Sequence, residues 1–307
     1  MTAGESVRTA TDLEILTPTG WSDYELLDSG LGLKLERFGP YRFVRPEAQA
    51  IWRPSLLKGE WDAAHGVFRN SGDESRWHFP KPIESRWRMT YKNLKFWAQP
   101  TPFRHMGVFP EQASHWDWLS ALIRQANREV KVLNLFAYTG IATLAASAAG
   151  AQVVHVDASK HVVRWASENH ELSGLKDRSV RWIVDDVTEF VKREGRRGIR
   201  YDGVIMDPPK YGRGPKGELW QIETSLPSLL AACRTIMADS PLFFVLTGYA
   251  TQLSTISMRN VVADLMEGKG GILTAGELAN VERTRGRLLS TAMYVRWSAI
   301  PPEERGV

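Results

Sequence analysis

Over the first hundred residues, apolar and polar positions alternate in short runs broken by glycine and proline. Tyr24–Leu27, Leu33–Phe38, Tyr41–Arg45, Gly66–Arg69, Trp77–Phe79 and Arg86–Phe96 all have this texture. Alternation at period two between turn residues predicts β-strands. RWRMTYKNLKF, residues 86–96, is the clearest strand or hairpin, whereas the Trp- and Pro-rich residues 46–65 are irregular. After Pro100 strand-like runs alternate with helix-like ones. Strands are predicted at 130–136, 152–156, 180–184, 201–206 and 241–247. Helices fit at about 111–127, 140–149, 159–173, 186–195, 221–237 and 253–266. Repeating β-α order implies a parallel, doubly wound sheet. Residues 272–280 and 287–297 flank the polar turn Glu282–Gly286 and predict a hairpin, which adds an antiparallel element. The expectation is a smaller β-rich N-terminal domain, 1–100, and an α/β domain, 101–307.

Composition narrows the class. The single cysteine, Cys233, excludes a disulfide framework and a cysteine-based metal site, and no metal ligands are assigned. No stretch reaches about 18 uncharged apolar residues, so no membrane span is expected. The polar N-terminus lacks the apolar core of a secretory signal, which predicts a cytoplasmic location. Net charge is only +4, but it is unevenly spread. Arg76 to Arg104 holds seven basic residues and one acid, interleaved with Trp77, Phe79, Trp87, Tyr91, Phe96 and Trp97. Such a segment can neutralise phosphates and stack on unpaired bases. It also fits a sheet with aromatics on one face and basic residues on the other, and the two readings are compatible. A second basic run, Lys192 to Arg200, has five positive residues against Glu194 and reads as a solvated helix end.

The chemistry-bearing residues fall at predicted strand ends. VKVLNLFAYTG, residues 130–140, runs from a buried strand through Asn134 to Gly140, which opens the small-residue helix IATLAASAAG. Unpaired N–H groups at that helix start can hold an anion. The next strand ends in Asp157, a carboxylate able to accept from a ribose diol. One glycine in the first loop argues against a dinucleotide, which needs G-x-G-x-x-G, and no ATP loop of the G-x-x-x-x-G-K-[ST] type is present. The third strand leads to Asp185, Asp186 and Val187. Asp186 is the preferred acceptor for an adenine amino group, while capping of the following helix competes for either acid. The fourth strand runs into DPPKYG, residues 207–212, where two prolines stiffen the backbone and remove two donors.

NLFAYTG, VDAS, DDV and DPPKYG, in this order and spacing, resemble class I S-adenosylmethionine-dependent methyltransferases. More closely, they resemble the large-subunit ribosomal RNA methyltransferases with NLF-[SA]-YTG and DPPK motifs. The likeness covers about 190 residues, Gly107 to Trp297. It implies a Rossmann-like, seven-stranded sheet with the last strand antiparallel. It also implies an S-adenosylmethionine site made of Phe109, Gln112, Asn134, Phe136, Tyr138, Thr139, Gly140, Asp157, Ala158, Ser159, Asp185, Asp186, Val187 and Asp207. Asp207, Pro208 and Tyr211 are the expected catalytic residues. Pro209, Lys210, Tyr211, Arg213, Arg86, Arg88 and Lys92 are the expected substrate contacts, with Arg213 and Lys216 lying in a Gly-rich loop. Relatives that methylate cytosine at carbon 5 carry a cysteine after the next strand, and here Val245–Thr251 has none. Nitrogen or oxygen targets remain; a nitrogen of a ribosomal RNA nucleotide is the expected one, with a protein or small molecule as the alternative substrate. A binding protein that keeps the fold without catalysis is the third reading. The sequence leaves the oligomeric state open.

Overall fold

A computed structural model describes residues 8–9, 12–71, 74–249 and 251–301. The chain divides into two compact units. One comprises the described residues up to Ile15, His115–Glu277 and those from Ala292 onward; the other comprises Leu16–Ser114 and Leu278–Thr291.

In chain order the elements begin with β1 (Arg8–Thr9) and β2 (Glu14–Leu16). The second unit follows with β3 (Tyr24–Gly30), β4 (Leu33–Phe38), β5 (Tyr41–Pro46), α1 (Lys58–Asp62), β6 (Gly66–Ser71), β7 (Glu74–His78), β8 (Trp87–Tyr91) and β9 (Leu94–Ala98). β3 to β7 form a five-stranded sheet in sequential order, antiparallel except for the parallel β5–β6 pair. β8 and β9 form a separate hairpin. The segment 46–65, which lacks a period of its own, is held by a buried acid. The Asp28 carboxylate accepts from the backbone N–H groups of Ser55 and Leu56, the Trp61 indole and the Thr284 hydroxyl. These bonds supply the acceptor that secondary structure does not provide.

The first unit contains α2 (Ala113–Gln125), from His115 onward, β10 (Lys131–Leu135), α3 (Ile141–Ala148), β11 (Gln152–Asp157), α4 (Lys160–Leu172), β12 (Val180–Val184), α5 (Val187–Arg196) and β13 (Gly203–Met206). It continues with β14 (Tyr211–Arg213), β15 (Leu219–Gln221), α6 (Ile222–Arg234), β16 (Phe243–Gly248) and α7 (Thr255–Leu265). β17 (Ile272–Val281) and β18 (Leu288–Ser298) close the chain as a long hairpin whose tip groups with the second unit. The sheet order is β1-β17-β18-β16-β13-β10-β11-β12, with β2 also on β17. The seven strands from β17 to β12 are the expected doubly wound sheet, and β18 runs antiparallel to β16. β1 and β2 extend it at the β17 edge.

Period two sorts the side chains of β10. Leu133 and Leu135 join Phe190, Leu226, Leu229, Met258 and Val262 in one apolar layer with α5, α6 and α7. Val132 is buried in the core, and Asn134 bonds Thr143 of α3. β10 has β11 on one side and β13 on the other, so the chain reverses its direction of travel there. The crevice beyond the carboxyl ends of such strands is where open α/β sheets hold ligands.

Candidate active site

Strand register brings the predicted acids to one sheet edge. Leu135 pairs with both Val156 and Met206, and Asp157 pairs with Val184. Phe136, Asp157, Asp185 and Asp207 therefore all emerge within one residue of the same level.

The first loop is built from unusual backbone. Phe136 and Tyr138 have φ of 54° and 47°, and Gly140 has 81°. Left-handed conformations cost non-glycine residues of order 1 kcal/mol or more, and they persist where the surroundings over-determine them. Here Ala137 N–H donates to the Val156 carbonyl at 3.1 Å and Gly140 N–H to the Ala137 carbonyl at 3.0 Å. Asn169 of α4 donates to the Thr139 carbonyl at 2.9 Å. At Gly140 a Cβ would lie 2.7 Å from the Ala166 Cβ, so packing and φ both demand glycine. Asn134 is buried behind this loop. Its amide donates to Thr143 Oγ1 at 3.0 Å, which in turn meets His155 Nδ1 at 3.0 Å. Its side chain thus ties β10 to α3 and lies inside the layer rather than at the edge.

Asp157 lies at the edge itself. Its carboxylate accepts from Tyr138 N–H at 3.0 Å and from Ser159 N–H at 2.9 Å. Burial pushes its pKa above the ordinary aspartate value, opposed by backbone N–H groups of Ser159, Tyr138 and Ala158. A carboxylate has about four lone-pair sites, so one remains for a ribose hydroxyl. Ala158 is half-buried and Ser159 exposed beside it. A fixed carboxylate, a strained loop and an N-terminus of α3 whose cap residue has no side chain together fit a ribose and an amino-acid carboxylate.

Asp185 and Asp186 both have structural work. Asp186 caps α5, accepting from Glu189 N–H at 3.0 Å through Oδ1. Asp185 accepts from Asp186 N–H at 2.9 Å and pairs with Arg193 at 2.5 Å. Val187 next to them is buried.

The DPPKYG segment is not a free loop. β14 and β15 pair as a hairpin, Tyr211 with Gln221 and Arg213 with Leu219, and the Gly-rich residues read as loop form its turn. The Trp220 indole donates to the Pro209 carbonyl at 2.7 Å and Ile222 N–H to the Lys210 carbonyl at 3.0 Å. The Trp220 ring packs at 4.8 Å from that of Phe136, joining this hairpin to the cofactor loop. Pro208 is buried, while Pro209 and Arg213 are exposed. Tyr211 is 63% exposed, and Lys210 Nζ sits 5.6 Å from its ring centre. Trp220, Asn169, Thr143 and Arg193 carry no motif or spacing signal; their roles exist only through contacts distant in sequence.

The remaining predicted residues belong to the second unit. Phe109 caps the short 3-10 turn Pro110–Gln112, its ring 5.0 Å from that of His105, and Gln112 is buried. In the β8–β9 hairpin Trp87, Tyr91 and Phe96 are buried, so these rings are core and closed to base stacking. Arg88, Lys92 and Lys95 are exposed, and the Arg86 guanidinium lies 4.7 Å over Trp97.

Comparison with known proteins agrees with this geometry. The family described as S-adenosylmethionine-dependent methyltransferase matches residues 60–241, more than half of the chain. A SAM-dependent methyltransferase of known structure from Agrobacterium tumefaciens is 45% identical, covers 97% of each chain and has a TM-score of 0.92. A Streptococcus mutans structure shares the fold alone, with TM-score 0.68 at 15% identity over 89% of this chain and 75% of that one. Ribosomal RNA large subunit methyltransferase K of Neisseria meningitidis is 26% identical over 159 residues, 51% of this chain and 44% of that protein. Ribosomal RNA large subunit methyltransferase I of an Enterobacter species is 36% identical over 89 residues, 29% of this chain and 22% of that protein. The chain thus spans less than half the length of these curated relatives. The matched residues contain the whole run of strand ends described above, and the chain belongs to the S-adenosylmethionine-dependent methyltransferase family, with S-adenosylmethionine as its cofactor.

Proposed function

We propose that this chain is a cytoplasmic enzyme that methylates a nitrogen of a nucleotide in large-subunit ribosomal RNA. The observation that carries the chemistry is the use of carbonyls after β13. Trp220 occupies the Pro209 carbonyl and Ile222 the Lys210 carbonyl. The Asp207 carboxylate and the Pro208 carbonyl come just before them, at the end of β13, and are the acceptors we assign to an amine. Two acceptors taking the two N–H bonds of an exocyclic amine aim its lone pair in one direction. Bound S-adenosylmethionine supplies an already activated methyl group on a positive sulfur. Asp157 would hold the ribose, the start of α3 would hold the methionine carboxylate, and Asp185 and Asp186 would border the adenine. Asp207 receives the proton that the amine loses, and Tyr211 stacks on the base. A paired base is first extruded from its helix.

Carbon-5 chemistry is not supported, because it requires a covalent nucleophile. Cys233 is fully buried in α6, and burial pushes its thiol up to about 12. The RNA assignment is supported by the likeness to ribosomal RNA large subunit methyltransferases and by the basic, exposed Arg88, Lys92, Lys95 and Arg213.

The test is incubation of unmodified 23S ribosomal RNA, transcribed in vitro, with methyl-labelled S-adenosylmethionine. Wild type should label the RNA, nucleoside mass spectrometry should find an N-methylated base, and Asp207→Ala should fall to background. RNA label no higher than in Asp207→Ala would overturn the reading; label in a protein or small-molecule fraction would favour the alternative substrate.

A further inference from the structure

The run KREGRRGIR, residues 192–200, takes no part in the reaction above. It forms the end of α5 and the loop that follows. Basic residues are common at helix C-termini because the dipole favours them. The dipole does not explain Glu194, the run's one acid, which is 0% exposed. A carboxylate near a helix C-terminus is disfavoured, and burying it costs more. Glu194 accepts from the Tyr201 hydroxyl at 2.8 Å. It also holds two guanidiniums, Arg197 at 3.3 Å and Arg181 of the sheet-edge strand β12 at 3.6 Å. Both arginines remain about half exposed. Arg196 and Arg200 are exposed beside them, and no carboxylate among the described residues pairs with either. The acid is therefore inside and four guanidiniums are outside, two of them in fixed positions. A planar guanidinium fork matches a phosphate.

This face starts from the active site. A Cβ on Gly214, at the turn of the β14–β15 hairpin, would lie 3.0 Å from Asp186 Oδ2, so the turn sits at the N-terminus of α5. Arg213 and Lys216 of that hairpin are exposed. Ten residues at 1.5 Å each make α5 about 15 Å long. Basic groups thus stand at both ends of α5, and Arg193 lies between them, tied to Asp185.

We infer that Arg181, Arg196, Arg197 and Arg200 form a phosphate-binding track at the C-terminal end of α5 that holds the RNA strand flanking the target nucleotide, with Glu194 as the positioning residue beneath it. The inference rests on RNA being the substrate. It is tested by filter binding of unmodified 23S ribosomal RNA to the full chain over a salt series. Each phosphate contact on a single strand contributes about 0.7 to the slope of log affinity against log salt. Arg196→Gln with Arg200→Gln should lower the slope magnitude by about 1.4 and the affinity by about 25-fold near ~0.1 M salt. S-adenosylmethionine affinity, read by calorimetry, should not change. Glu194→Gln removes a negative charge, so general attraction predicts tighter RNA binding, whereas loss of the arginine holder predicts weaker binding. Wild-type slope and affinity in the Arg196/Arg200 variant, or tighter binding by a folded Glu194→Gln, would overturn the track. Should Glu194→Gln unfold, the arginine variant decides alone. Absence of salt-dependent RNA binding by wild type would sink the substrate reading as well; wild-type methylation with an unaffected arginine variant would sink the track only.

Discussion

Replacing Asp157 by alanine removes the one carboxylate at the end of β11. Three of its lone pairs are taken by backbone N–H groups, Tyr138 at 3.0 Å, Ser159 at 2.9 Å and Ala158. One remains to accept a ribose hydroxyl. A hydrogen bond to a charged group is worth about 1.5–3 kcal/mol, so losing it costs that much cofactor binding. That is roughly tenfold to a hundredfold in Kd. The assay is titration calorimetry of S-adenosylmethionine into wild type and variant. Asp157→Asn should be intermediate, since its amide must face at least one of the three backbone donors. Acidity gives a second reading. Burial raises the folded-state pKa, so the neutral carboxyl is the form the fold favours. Its contribution to stability is complete below the unfolded-chain pKa and is lost as pH rises through the raised folded value. Ribose binding needs the ionised form, so cofactor affinity should fall on acidification through that same raised pKa while the unliganded fold does not suffer from this group. A variant Kd within about threefold of wild type would refute the argument, as would an acid-independent wild-type Kd.

Two further substitutions separate positioning from packing. Trp220→Phe keeps a ring against Phe136 but removes the donor to the Pro209 carbonyl; displacement of the Asp207–Pro208 pair should lower kcat about 10–100-fold with cofactor KM nearly constant. An unchanged kcat in RNA methylation would show the indole bond to be dispensable. Gly140→Ala meets both a φ of 81° and a 2.7 Å approach to Ala166, which together should cost about 2–4 kcal/mol. Thermal melting should drop by roughly 5–15 °C, and a shift under about 2 °C would contradict the packing argument.

The doubly wound half was legible because its signals are local. Period and length predicted strands at 152–156 and 180–184, observed at Gln152–Asp157 and Val180–Val184. The closing hairpin at 272–280 and 287–297 appears at Ile272–Val281 and Leu288–Ser298 for the same reason. Strand ends carry their acids with them, so parallel register alone gathers Asp157, Asp185 and Asp207. The β14–β15 hairpin was hidden, since glycine and proline in GRGPKGE report flexibility of composition and not the pairing of Arg213 with Leu219. Asn134 shows the limit of motif reading. Being the fourth residue of its strand puts its side chain toward α3, where Thr143 takes its amide. The tie of Asp185 to Arg193 spans eight residues and has no pattern linking them.

The tip of the β17–β18 hairpin is chemically wired into residues more than two hundred positions earlier. Ser29 Oγ donates to Glu282 at 2.5 Å, Arg283 meets Glu25 at 3.2 Å, and Arg287 donates to the Arg53 carbonyl at 3.1 Å. A gene fragment ending near residue 114 would strand Ser29, Glu25 and the Asp28 hub without these counterparts. Recombination at a single junction could not exchange this unit for another, because its last strands are encoded after the transferase core has been read. Completion of this unit therefore waits on Leu278–Thr291 to leave the ribosome.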